Sequence, residues 1–158
     1  MPFTKFALID FDAGRKASIT LAMHEAGVFC DPYSDVAELI AANRRSGCIL
    51  FADGGNQSAI AAMDELVCAS VSNPFLAYAT APDIRRACDT ILAGAIDYIG
   101  WPFEITEFVN RLRLREDALS AYNSRKQKAI AAKSRMASLS VREGEVLEGL
   151  ADGLSNKA

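Results

Sequence analysis

Between residues 3 and 115, apolar runs of strand length alternate with segments of helical spacing five times over, and this alternation constrains the fold more than any other feature. Phe3 to Ile9 is a first strand, ending in Asp10-Phe11-Asp12. Ile19, Leu21, Ala22, Met23 and Ala26 recur at helical spacing from Ala17 to Ala26, and Gly27 ends that helix. Val28 to Cys30 is a second strand. Ser34 or Asp35 can cap a helix that carries Val36, Leu39 and Ile40 to Asn43. Cys48 to Ala52 is apolar throughout, as a central parallel strand buried on both faces should be. After Gly54-Gly55, a helix is expected from Ser58 to Ala69. Pro74 introduces a fourth strand, Phe75 to Ala79. Asp83 to Ala93 is helical, and Ile96 to Ile99 is a fifth strand. A long helix without Pro or Gly begins at Glu104 and runs to about Ser138. Strict β-α alternation predicts a parallel α/β sheet with helices on both faces. In such sheets ligands meet the carboxyl ends of the strands. Here those ends are Asp10 to Asp12, Ala52-Asp53, Ala79-Thr80 and Gly100-Trp101.

A chain of 158 residues, 51% apolar, has room for one complete domain and part of a second. Residues 1–110 hold 7 Lys+Arg against 14 Asp+Glu, whereas residues 111–158 hold 10 against 6. An acidic domain joined to a basic tail suits a protein whose far end approaches phosphates, although a solvated basic helix has the same composition. No apolar run is long enough for a transmembrane helix, and no signal peptide is visible at the N-terminus, so a cytoplasmic protein is expected. Cys30, Cys48, Cys68 and Cys88 are scattered and His24 is isolated, which excludes a clustered zinc site. Gly54-Gly55 lacks the Lys and spacing of a phosphate-cradling loop. No Ser/His or Cys/His pairing is suggested, so neither an independent enzyme nor a resident cofactor is expected.

Two stretches resemble one family. Ala93-Gly94-Ala95-Ile96-Asp97-Tyr98-Ile99-Gly100-Trp101-Pro102-Phe103 is similar to the Ala-Gly-Ala-x-Asp-Phe-Leu-x-Lys-Pro-Phe stretch of FixJ-type receiver domains. Leu139-Ser140-Val141-Arg142-Glu143-Gly144-Glu145-Val146-Leu147, with Gly153-Leu154-Ser155-Asn156-Lys157 after it, resembles the opening of the LuxR/NarL/FixJ-type DNA-binding domain. Ser140 and Glu143 have the spacing of a capping box, and Ser155 is placed to cap a second helix. The resemblance implies a FixJ/NarL-type (LuxR-family) response regulator in three parts. Residues 1–115 would be a flavodoxin-like (CheY-like) receiver with strand order 2-1-3-4-5, and residues 116–138 a helical linker. Residues 139–158 would be the beginning of a helix-turn-helix whose recognition helix is not included.

In the family, a carboxylate after the third strand accepts a phosphoryl group from a histidine kinase. Acids after the first strand hold Mg²⁺, and a Thr or Ser and a Lys bind the phosphoryl oxygens. Carried over residue by residue, the set is depleted. Asp10 remains, Phe11 stands at the second acid and Asp12 lies one place on. Ala52 occupies the acceptor position, Ala79 the hydroxyl position and Trp101 the Lys position. Tyr98 matches the aromatic residue that rotates on activation, and Trp101-Pro102 is expected to be cis. The expected pocket is therefore degenerate and repacked with apolar side chains, with Asp10 and Asp12 solvated or capping a helix and no metal bound. The function this implies is a phosphorylation-independent transcription regulator whose pseudo-receiver mediates dimerisation and signal input. The family's dimer face would comprise Arg85, Arg86, Cys88, Asp89, Asp97, Tyr98, Glu107 and Arg111. Partners would be a second copy, DNA through the C-terminal part, and a sensor kinase or other regulatory protein. Two alternatives stay open. One is a working phosphoacceptor at Asp53, with Asp10 and Asp12 on Mg²⁺, reached by a one-residue slip or bulge in the third strand. The other is a stand-alone interaction module.

Overall fold

The computed structural model of the protein describes residues 5–43 and 47–114. Five strands alternate with five helices in chain order: β1 Lys5–Ile9, α1 Ala13–Glu25, β2 Phe29–Tyr33, α2 Val36–Ala42, β3 Cys48–Ala52, α3 Ala59–Cys68, β4 Phe75–Ala79, α4 Ile84–Leu92, β5 Asp97–Gly100 and α5 Ile105–Leu114. The strands form one parallel sheet in the order β2-β1-β3-β4-β5. This is the doubly wound, flavodoxin-like arrangement that the alternation and the resemblance predict. The expected linker helix over 116–138 and helix-turn-helix over 139–158 lie outside the described residues.

Each face of the sheet has its own apolar layer. Phe6 and Leu8 of β1, Leu50 of β3 and Leu76 of β4 meet Ile19 and Met23 of α1 and Phe108, Val109 and Leu112 of α5. Their strand neighbours Ala7, Ile9, Ile49, Phe51, Phe75 and Ala77 turn to the other face, against Val36 and Leu39 of α2 and Ala62, Met63 and Leu66 of α3. Helix α4 is the exception. Its buried residue is Thr90, while Ile84 and Leu92 are 83% and 85% exposed. It therefore has little apolar burial to hold it in place.

The element boundaries depart from the sequence reading where polar chemistry outweighs apolar spacing. Helix α1 begins four residues before the apolar pattern, because the Asp12 side chain accepts the Arg15 backbone N–H at 2.7 Å and caps it there. Strand β2 continues beyond Cys30 through Asp31 and Pro32 to Tyr33. It is an edge strand, where a Pro without an N–H is tolerated. Of the two candidate caps for α2, Asp35 serves, accepting from the Glu38 N–H at 2.7 Å.

Candidate functional site

The carboxyl ends of β1, β3 and β4, with the following loops, enclose a cavity of about 280 Å³ lined in part by Arg15, Asp53, Gly54, Thr80 and Arg86. Two carboxylates anchor this end of the sheet, on opposite faces. Asp10 follows β1 on the side of Phe6 and Leu8. Asp53 follows β3 on the side of Ile49 and Phe51, with which it alternates in step. Pairing of β3 with β4 runs evenly from Ile49↔Phe75 to Ala52↔Tyr78, so Asp53 reaches its place without a bulge or slip. Ala52 is buried at the strand end.

Asp10 is fully buried, and each of its oxygens is occupied. Arg15, one turn into α1, donates from Nε to Oδ2 at 2.6 Å and from Nη2 to Oδ1 at 2.7 Å. Tyr78 donates its hydroxyl to Oδ2 at 2.5 Å, and the Asp12 backbone N–H donates to Oδ1 at 2.9 Å. Arg15 also lies over the Tyr78 ring, 5.9 Å from its centroid. Burial alone would raise the Asp10 pKa. Hydrogen bonds from Arg15, Tyr78 and the Asp12 amide, together with the Arg15 charge, outweigh burial and leave the carboxyl below its ordinary value. This corrects the expectation that Asp10 is solvated or caps a helix. The capping role belongs to Asp12 alone.

Asp53 is 6% exposed and corrects the expectation of an apolar pocket in the same way. Its Oδ1 accepts the Ala59 N–H at the start of α3 at 2.9 Å. Its Oδ2 accepts the Tyr98 hydroxyl at 2.8 Å and lies 3.0 Å from Nε of Arg86 on α4. One carboxylate thereby joins β3, α3, β5 and α4. Arg86, expected on a dimer face, and Tyr98, expected both there and at the pocket, meet Asp53. Arg85, Cys88 and Asp89 are exposed on α4, Glu107 is exposed on α5, Asp97 is half-buried at the start of β5, and Arg111 belongs to α5.

Burial, with the neighbouring carboxylates, raises the pKa values of both the Tyr78 and the Tyr98 phenols above the ordinary 10.0. A phenol whose folded pKa is raised contributes stability below its unfolded value, and that stability is lost as pH rises through the folded one. Neither phenol should ionise near pH 10 in the folded protein, which an ultraviolet phenolate titration checks by comparison with the Tyr78→Phe and Tyr98→Phe variants.

The two aromatic replacements fill different places. Phe11 meets Phe51 edge-on, with ring centroids 6.4 Å apart. A Cβ on Gly55 would run into the Phe11 ring, so Phe11 and Gly55 are a matched pair. Gly54 turns the chain at φ +106, a conformation open to Gly. Gly55→Ala should cost about 1–3 kcal/mol through overpacking, measured by denaturant unfolding. Trp101, which stands at the Lys position in a pocket expected to be repacked with apolar side chains, does not line the cavity. It packs 5.2 Å from the Phe103 ring and 6.3 Å from Tyr78, on the α1–α5 side, and the Trp101-Pro102 bond is cis.

Mg²⁺ does not fit this arrangement. Both oxygens of Asp10 and both of Asp53 already accept donors from the protein, and Asp12 caps α1. A guanidinium cation is already paired with each carboxylate, Arg15 with Asp10 and Arg86 with Asp53. Among the described residues no three His, Cys, Asp or Glu side chains converge to hold a metal.

Arg15 and Tyr78 did not stand out in the sequence, and Arg86 stood out for a different role. The available signal was positional. Arg15 lies three residues after a capping Asp, and Tyr78 interrupts the small residues Ala77 and Ala79 on a central strand.

Comparison with known proteins agrees with the geometry. No protein-family profile matches the chain. The transcriptional regulatory protein FixJ of Rhizobium meliloti (strain 1021) is 33% identical over 76 residues, which span 48% of this chain and 37% of that protein. Full-length FixJ from B. japonicum is 25% identical at a TM-score of 0.59, covering 96% of this chain and 76% of that one. A CheY-like receiver domain protein from Methanospirillum hungatei JF-1 superposes at a TM-score of 0.64 with 13% identity, over 75% of this chain and 98% of its own. Among the described residues no helix is long and apolar enough to cross a membrane. The chain carries a response-regulator receiver fold, CheY-like in topology, with sequence similarity to FixJ.

Proposed function

We propose that the chain is a phosphorylation-independent pseudo-receiver of a FixJ-like transcription regulator, working in the cytoplasm. The observation that carries this reading is that both carboxylates at the strand ends are paired with arginines of the same domain, Asp10 with Arg15 and Asp53 with Arg86. A receiver that takes a phosphoryl group needs a free acceptor carboxylate, a metal site and an uncommitted cation to neutralise charge on the transferring group. Here the carboxylates and cations neutralise each other. The domain then has no enzymatic step of its own and no cofactor. Asp53 works as a fixed negative charge that holds Tyr98 and Arg86.

The receiver passes signal input to a C-terminal DNA-binding domain as a homodimer, answering to a sensor kinase or another regulatory protein. Ile84, Cys88 and Leu92 share one exposed face of α4 at helical spacing, beside Arg85 and Asp89. An apolar stripe flanked by both signs of charge suits a second copy. Leu92→Glu should weaken self-association at least tenfold in sedimentation equilibrium and leave the monomer folded. An unchanged association constant would remove α4 from the interface. The pocket reading is tested by Mg²⁺ titration followed by amide chemical shifts. No saturable shift at Gly54 or Tyr98 is expected at millimolar Mg²⁺. Saturable shifts there would restore the alternative in which Asp53 is a phosphoacceptor.

A further inference from the structure

A second cavity lies at the sheet edge, between α1 and β2, where no further strand pairs with β2 among the described residues. It holds about 550 Å³, within the range of small-molecule pockets. One stripe of α1 forms its first wall, from Ala13 through Lys16, Ala17 and Thr20 to His24, at the spacing of a single helix face. That stretch of helix runs about 16 Å, so the cavity is an elongated groove. Ala13 and Ala17 put no more than a methyl group into it. Val28, Cys30 and Pro32 form the opposite wall, and the exposed Leu21 and Phe29 add apolar surface. Burial pushes the Cys30 thiol up to about 11, so this wall presents a neutral thiol near pH 7.

Charge is confined to one end. Lys16, in the first turn of α1, donates from Nζ to Ser34 Oγ at 3.3 Å. Among the described residues no carboxylate lies within ion-pair distance of it, and no Asp or Glu lines the groove. The acids near Lys16 and Ser34 in sequence accept backbone N–H groups instead, Asp12 from Arg15 and Glu38 from Ser34. The positive end of the helix dipole reinforces the Lys16 charge. A long apolar groove with one unmatched cation at its end is complementary to an aliphatic chain that carries one anionic head.

We infer that the α1–β2 groove binds a medium-chain aliphatic carboxylate, with the chain laid along α1 and the carboxylate at Lys16. The inference is independent of the pseudo-receiver reading, because no residue lines both this groove and the strand-end cavity. It gives the domain a ligand input that involves no phosphoryl group. Lys16 follows Arg15 directly, so the carboxylate end of the groove adjoins the helix turn that holds Asp10.

The test is titration of the full chain with decanoate below its micellisation concentration, followed by amide chemical shifts. Saturable shifts at Thr20, Leu21 and Cys30 are expected. Lys16→Met keeps the aliphatic stem without the charge and should weaken binding about fivefold, the scale of a solvent-screened ion pair. Ala17→Trp fills the groove from an exposed position and should weaken binding by roughly tenfold or more. Decanol has the same chain without the carboxylate, so its binding should not respond to Lys16→Met. No saturable shift with decanoate, or decanoate binding unchanged by Ala17→Trp, overturns the site. Decanoate binding unchanged by Lys16→Met, or decanol weakened as much as decanoate, overturns the placement of the carboxylate. Each of these results leaves the pseudo-receiver reading standing.

Discussion

Replacing Arg15 by Ala should destabilise the domain by about 3–5 kcal/mol, because it strands a fully buried carboxylate. For a domain of this size the melting temperature falls on the order of 10–20 °C. The loss belongs to the stranded charge and not to a uniquely strong pair, so the double variant Asp10→Leu/Arg15→Met should recover most of it. The pH dependence separates the two explanations. Asp10 has a lowered folded pKa, so its contribution is complete above its unfolded value of 3.8 and is lost as pH falls through the lowered value. In Arg15→Ala, burial works against a carboxylate that has lost its cation, and the deficit relative to the parent should shrink as pH falls toward 3.8 and below. Denaturant unfolding of both proteins between neutral pH and mild acid measures this. A deficit that stays constant with pH would mean that Arg15 acts through packing alone.

The second large effect is local. Asp53→Ala removes the carboxylate that gathers Tyr98, Arg86 and the Ala59 amide. A hydrogen bond to a buried charge contributes about 1.5–3 kcal/mol, whereas the half-exposed Arg86 adds less than about 1 kcal/mol after solvent screening. Helix α4 buries little apolar surface to compensate, with Ile84 and Leu92 in solvent. Amide exchange protection in α4 and β5 should therefore fall by roughly ten- to a hundredfold, while β1 and β3 change much less. Equal loss across the whole sheet would instead mark Asp53 as a general stability residue. Asp53→Asn keeps a single acceptor oxygen, for the Ala59 N–H or for the Tyr98 hydroxyl, where the carboxylate serves both, and should fall between the parent and Asp53→Ala.

These two effects arise from what the sequence did not display. The sheet was legible because period and composition report burial directly. Cys48 to Ala52 reads as a buried central strand, and it is one. The start of α2 was legible, with Asp35 one of two candidate caps, because a short polar side chain before an apolar periodic run has a specific backbone role; Ser58 and Asp83, read only as the first residues of helices, cap α3 and α4. The site was legible as a set of positions only. Motif alignment marks what Phe11, Ala52, Ala79 and Trp101 replace, and an apolar pocket follows if the rest of the pocket is assumed unchanged. What fills it instead depends on side chains five and thirty-three residues from the carboxylates they meet, Arg15 on Asp10 and Arg86 on Asp53. Neither pairing follows from local periodicity. Tyr78, which reaches Asp10 across 68 positions, is equally invisible to it. Phe11 and Gly55 show the same limit, since an aromatic ring above a glycine is a packing fact and not a pattern.

The central claim is that the carboxylates of this receiver fold are committed to its own arginines and do not take up a phosphoryl group. Incubation of the full chain with acetyl phosphate and Mg²⁺, followed by intact-mass measurement and peptide mapping, tests it most directly. The account predicts unchanged mass in the parent protein. A phosphoryl adduct mapped to Asp53 would contradict it.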